Sequence, residues 1–284
     1  MDGVGVVGCG LMGSGIAEVC ARSDLEVVVV DVDETAVAAG MRRIETSLQR
    51  AMRSGKLAEP LGEAALSRIV FTTDLARLGG SELVIEAVSE DAEVKLRIFE
   101  RLDAIVERED AILASNTSSI PIMKLAMVTR RPESVIGMHF FNPVPVLPLM
   151  ELISSLLTSV STADRAASFA TEVLGKHVVR SKDRAGFIVN ALLIPYLLSA
   201  IRMLETGFAT AEDIDVGMVE GCAHPMGPLA LTDLIGLDTT MAVSESLYEE
   251  FKEPLYAPPP LLNRMVDAGL LGRKSGRGFY EYAR

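Results

Sequence analysis

A chain of 284 residues with 49% hydrophobic residues is long enough for one large domain or two modest ones, each with a core. The formal charge of −12 argues against a nucleic-acid partner, because proteins that live on phosphate contacts carry a basic surplus; any anionic ligand must meet local positive groups. Cys9, Cys20 and Cys222 show neither paired nor metal-ligand spacing, which points to a reducing cytoplasm and to no metal site.

Met1 leads almost directly into Val4-Gly5-Val6-Val7 without the basic region and apolar stretch of a signal peptide, so export is not expected. No run approaches the roughly 18 apolar residues of a membrane helix, so no membrane association is expected either. In chain order, strands are predicted over 4–7 and 26–30, with a helix from about residue 13 between them and a long helical stretch to about residue 54. Further strands are predicted over 83–87, 111–115, 135–139 and 150–153, with a helix over 92–107. Such alternation predicts parallel strands joined by crossover helices, an α/β doubly wound sheet of Rossmann type.

A last strand-like run covers 176–181. After Asp183-Arg184-Ala185-Gly186 the texture becomes helical, with one helix over 188–205 that contains Pro195 as a candidate kink. Turn residues at 224–228 and 258–260 fit helices joined by tight corners. The expected division is therefore a sheet domain over 1–184 and a smaller all-helical domain over 185–284.

Gly8-Cys9-Gly10-Leu11-Met12-Gly13 is a G-x-G-x-x-G directly after a strand and opening a helix, and Asp31 closes the second strand. The first glycine permits a tight turn, the second lets backbone approach a pyrophosphate, and the third allows helix to pack on strand; the helix N-terminus then holds the anion. Asp31 can accept from a ribose 2′-hydroxyl and would repel a 2′-phosphate, so NAD is expected rather than NADP. The bland alternative for Asp31 is a helix N-cap.

His139 ends an apolar strand, where open α/β sheets bind their ligands. Glu151 follows on the next apolar run, so two adjacent strand ends could bring the carboxylate to the imidazole. Asn116-Thr117-Ser118-Ser119 follows the strand over 111–115; there Ser118 could serve a ligand while Ser119 caps a helix. Asn190 opens the long helix of the second half, where an amide can serve a ligand, cap the helix or be buried. The helical stretch carrying Arg42, Arg43, Arg50, Arg53 and Lys56 is a basic cluster, as either an anion site or a solvated face.

Together with Gly186-Phe187-Ile188-Val189-Asn190, His224-Pro225-Met226-Gly227-Pro228 and Gly272-Arg273-Lys274-Ser275-Gly276, the glycine loop, Asn116 to Ser119 and Gly137-Met138-His139-Phe140-Phe141-Asn142-Pro143 resemble the short-chain 3-hydroxyacyl-CoA dehydrogenases. The likeness covers nearly the whole chain and is greatest to the bacterial 3-hydroxybutyryl-CoA dehydrogenases. It implies hydride transfer between NAD and C3 of a short-chain L-3-hydroxyacyl-CoA, with His139 as general base paired with Glu151, and with Ser118 and Asn190 hydrogen-bonding the substrate. It also implies an NAD site along Gly8, Gly10, Leu11, Met12, Gly13, Asp31, Glu90, Lys95, Asn116, Ser118, Asn142 and Lys274. The CoA contacts it implies are Ser47, Arg50 and the turn 54–56. Ser54 stands where relatives often carry lysine, so Lys56 is taken as its substitute, and Pro148 is a second such departure. The resemblance further implies a homodimer formed by the helical domain. Two rivals are the same chemistry on an acyl-carrier-protein thioester and a non-catalytic NAD-binding protein.

Overall fold

The structure, a computed structural model, describes residues 3–282, so the first two residues of the expected sheet domain and the last two of the expected helical domain lie outside the described residues. The chain forms two compact units, one up to Arg184 and one from Ala185 on.

In the first unit, β-branched runs form the inner strands. β1 (Gly3–Val7) is followed by α1 (Leu11–Arg22), β2 (Glu26–Val30), α2 (Glu34–Arg53), α3 (Glu59–Ser67), β3 (Ile69–Thr72) and β4 (Leu83–Glu86). Then come α4 (Ala92–Ile105), β5 (Ile112–Ser115), α5 (Ile122–Ala126), β6 (Val135–Phe140), β7 (Leu149–Ser154), α6 (Val160–Ser168) and β8 (His177–Lys182). The eight strands lie in the order β3-β2-β1-β4-β5-β6-β7-β8, with neighbours parallel from β3 to β6. The doubly wound expectation is borne out, and the strand order reverses between β1 and β4, where such sheets bind ligands. Val4, Val6, Val27, Val29, Leu83, Ile85, Ile112 and Ala114 are buried in a core shared with α1 and α2. At about 25 cal/mol per Å² of apolar area removed from water, this layer is the main stabilising term.

One expectation is corrected. β7 pairs antiparallel with β6, while β8 runs parallel to β7. The connection over 141–148 is too short for a crossover helix, which needs a dozen or more residues, so the chain must turn back as a hairpin.

The second unit is helical: α7 (Val189–Glu205), α8 (Ala211–Cys222), α9 (Pro228–Ile235), α10 (Leu237–Phe251) and α11 (Pro260–Asp267). α7 continues through Pro195. Leu198, Ile201, Leu229, Leu237, Leu247 and Leu262 form its core. Two buried carboxylates hold its backbone: Asp215 accepts from the N–H groups of Leu229 and Ala230 at the start of α9, and Asp233 from those of Phe279 and Tyr280. Among the described residues no helix is long and apolar enough to cross a membrane.

Candidate active site

The glycine loop joins β1 to α1. Gly8 has φ 95°, and a Cβ on Gly13 would run into the Gly8 carbonyl oxygen, so both positions demand glycine. Gly10 is the N-cap of α1 and brings no side chain to cap it, leaving the first-turn amides to an anion. Asp31 lies just past β2, and its carboxylate accepts from Cys9 N (2.6 Å) and Val32 N (2.6 Å). The N-cap of α2 is Asp33, which accepts from Ala36 N at 2.8 Å; the capping alternative for Asp31 therefore falls. A glycine loop, an uncapped helix start and a carboxylate at the tip of β2 fit a dinucleotide with a free ribose hydroxyl.

His139 and Glu151 are directly opposite each other across the β6–β7 hairpin. They are not two adjacent carboxyl ends, as the sequence pattern suggested, but a cross-strand pair. His139 Nδ1 and Glu151 Oε2 are 2.7 Å apart, both residues are buried, and the Phe141 ring tilts against the imidazole at 4.7 Å. A carboxylate accepting at Nδ1 keeps the proton on that nitrogen of the neutral ring and leaves proton transfer to Nε2.

The loop after β5 is organised from beneath. Glu86, the last residue of β4, is fully buried and accepts from Lys95 Nζ (2.6 Å), Ser115 Oγ (2.6 Å) and Val88 N (2.7 Å). Lys95 is equally buried, and its ammonium also pairs with Glu90 at 3.3 Å. Glu90 Oε1 in turn accepts from Thr117 Oγ1 (2.5 Å), Ser118 N (2.9 Å), Ser119 N (3.1 Å) and Ser119 Oγ (2.9 Å). Burial alone would raise the Glu90 carboxyl, but the Lys95 charge and the donors of Thr117, Ser119 and Ser118 outweigh it and hold it below the usual range. Asn116 Oδ1 accepts from Phe140 N at 2.9 Å, tying the same loop to the strand that carries His139.

Ser119 does not cap α5, contrary to expectation. Asp183 does so from the end of β8, accepting from Ile122 N (2.8 Å) and Met123 N (2.7 Å), while Ser119 is drawn to Glu90. An ionised carboxylate is the stronger acceptor for orphan helix amides, which decides the competition.

A cavity of about 640 Å³ opens between α1, α2 and the turn after β6, lined by Ser14, Glu18, Arg42, Arg43, Ser47, Arg50, Asn142 and Pro143 among others. Ser47 and Arg50 thus face one space with Asn142. Lys56, in the turn beyond α2, does not line it. Burial raises the Glu18 carboxyl, opposed by hydrogen bonds from Ser47 and Arg22. In the second unit, Asn190 is the second residue of α7, and Lys274 is ion-paired with Asp238 (2.5 Å).

Sequence reasoning missed Glu86, Asp183 and Ser14, and gave Thr117 no role although it lies in the segment Asn116 to Ser119. Of the three missed, only Glu86 left a signal, a carboxylate closing the otherwise apolar run Leu83-Val84-Ile85.

Family models described as "3-hydroxyacyl-CoA dehydrogenase, NAD binding domain" and "3-hydroxyacyl-CoA dehydrogenase, C-terminal domain" match residues 3–184 and 186–282. The chain is 60% identical over 279 residues to a 3-hydroxybutyryl-CoA dehydrogenase of Mycobacterium tuberculosis, covering 98% of each chain. It is 45% identical to the human mitochondrial hydroxyacyl-coenzyme A dehydrogenase, over 98% of this chain and 90% of that one. Its structure matches that of (S)-3-hydroxybutyryl-CoA dehydrogenase PaaH1 from Ralstonia eutropha with a TM-score of 0.95 and 48% identity, covering 100% of both.

Proposed function

The chain belongs to the 3-hydroxyacyl-CoA dehydrogenase family, and on that footing we propose how its residues carry out the reaction. It is an NAD-dependent oxidoreductase that transfers a hydride between NAD and C3 of a short-chain L-3-hydroxyacyl-CoA, of the 3-hydroxybutyryl-CoA and acetoacetyl-CoA kind. The observation that carries the mechanism is the buried His139–Glu151 pair.

When bound, NAD supplies the hydride acceptor, and NADH the donor in reverse. Gly8, Gly10, Leu11, Met12 and Gly13 hold the pyrophosphate side and Asp31 the ribose, while Asn116, Ser118 and Asn142 follow the strand ends. His139 Nε2 takes the proton from the 3-hydroxyl as C3 is oxidised, and gives it back during reduction. Glu151 keeps the imidazole in the right tautomer and stabilises it once protonated. Ser118 donates to the oxygen on which charge changes. Glu90 and Lys95 act on that loop from below, because their polar atoms are occupied by Glu86 and residues 117–119. Asn190 and Lys274 take their roles from the sequence likeness, as substrate and NAD contacts. Ser47 and Arg50 receive the CoA phosphates with Arg42; Lys56 is left as a solvated charge.

The test is a steady-state assay with acetoacetyl-CoA and either nicotinamide cofactor. NADH is expected to exceed NADPH by on the order of 100-fold in kcat/KM, since like charges brought together cost a few kcal/mol. Equal efficiencies would overturn the role of Asp31, and no turnover with either would overturn the mechanism.

A homodimer built on the second unit is a further part of this reading. Leu192 of α7 (74% exposed), Phe208 in the turn after it (79%) and Val216 of α8 (52%) leave more apolar surface on this unit than a monomer needs. Light scattering should return twice the 30.5 kDa of one chain; the single-chain mass at all concentrations would refute it. Three free cysteines support a reducing cytoplasm as its place.

A further inference from the structure

Cys9 stands between the two ligand sites of the first unit. Its N–H donates to Asp31 Oδ2 at 2.6 Å, the carboxylate assigned to the ribose. Its carbonyl accepts from Ser14 Oγ at 2.9 Å and from Arg43 Nη1 at 3.1 Å. Both of those residues line the 640 Å³ cavity assigned to CoA. The helix α2 comes this close because Gly40 faces the Cys9 sulfur, where a Cβ would collide. Burial pushes the thiol up, so its part in this is that of backbone and packing, not sulfur chemistry.

Arg43 therefore grips the glycine loop with one of its five N–H donors while its side chain borders the anion cavity. It makes no ion pair among the described residues. We propose that Arg43 is a positioning residue that couples acyl-CoA binding to cofactor binding. An anionic group of CoA in the cavity holds the guanidinium, the guanidinium holds the Cys9 carbonyl, and the glycine loop so ordered takes the dinucleotide more tightly. The ordering cost of one long side chain falls on whichever ligand arrives first, and the second is spared it. Linkage makes the effect reciprocal. The proposal rests on reading the cavity as the CoA site.

Titrating NADH by its fluorescence with and without saturating free coenzyme A, which cannot turn over with it, reads the coupling directly. In the native protein coenzyme A should tighten NADH about fivefold, at the low end of measured couplings. Free pantetheine, which lacks the phosphates, should leave NADH binding unchanged. In Arg43→Met the ratio should fall to one, and Arg43→Lys should restore part of it; the exposed position of Arg43 makes either variant compatible with folding. Calorimetry of coenzyme A binding to Arg50→Ala separates the two readings. If Arg50→Ala weakens coenzyme A but the NADH ratio survives in Arg43→Met, or if the native ratio is already one, the coupling is overturned and the CoA site stands. If both Arg50→Ala and Arg43→Met bind coenzyme A like the native protein, the cavity reading falls and the coupling with it.

Discussion

Replacing His139 by glutamine should lower kcat by about 10²- to 10⁴-fold, the usual contribution of a positioned general base, with NADH binding nearly intact. Glutamine preserves a hydrogen bond to Glu151 but cannot accept the hydroxyl proton, so hydride departure builds positive charge on an oxygen that nothing relieves. Glu151→Gln should cause a related loss, because the imidazole then lacks the carboxylate 2.7 Å from Nδ1 that orients it and stabilises its protonated form. The two residues act as one unit, so the double variant should lose less than the product of the single losses. Steady-state kinetics of the three variants with acetoacetyl-CoA and NADH checks this. Near-normal kcat in His139→Gln, or losses that simply multiply, would sink the dyad.

Lys95→Met should destabilise the first unit by about 3–5 kcal/mol, the typical effect of removing one member of a buried ion pair. The reason is geometric: Glu86 is fully buried, and the Lys95 ammonium at 2.6 Å is its charge partner. For a unit of this size that corresponds to a fall in Tm of about 6 to 20 °C. Glu86→Gln added to Lys95→Met removes the stranded charge, while the amide keeps an acceptor for Val88 N and a group to meet Ser115. The double variant should therefore regain most of the stability. It should still bind NADH and substrate less well than the native protein, because Glu90 has lost the charge that fixes it under Ser118 and Ser119. Thermal unfolding of the single and double variants, with KM for both ligands, is the measurement. A double variant no more stable than Lys95→Met would show that the pair is not coupled.

Residues chosen for local reasons were readable without a structure. Gly8 and Gly13 are required by a turn and a close approach, Asp31 by the end of a strand, and the β-branched runs by their places inside the sheet. His139 and Glu151 stood out as ionisable groups on apolar runs. Their pairing was foreseen but not its geometry, because nothing in the alternation of apolar runs distinguishes a hairpin from a crossover except the length of the connection over 141–148. Lys95, by contrast, entered only through the resemblance, as an NAD-site residue, and is among the most deeply buried side chains.

What the amino-acid order determined by itself was thus most strands of the sheet and the dinucleotide loop, since each depends on backbone preference or side-chain chemistry within a few residues. What only the tertiary structure decided was which polar groups answer one another. Glu86 meets Ser115 29 residues away, Glu90 meets Thr117 27 residues away, and Asp183 takes the helix start at Ile122 from 61 residues away. A buried donor or acceptor must be satisfied by whatever group the packed sheet brings within about 3 Å, and that neighbour is chosen by strand order, which no local pattern encodes.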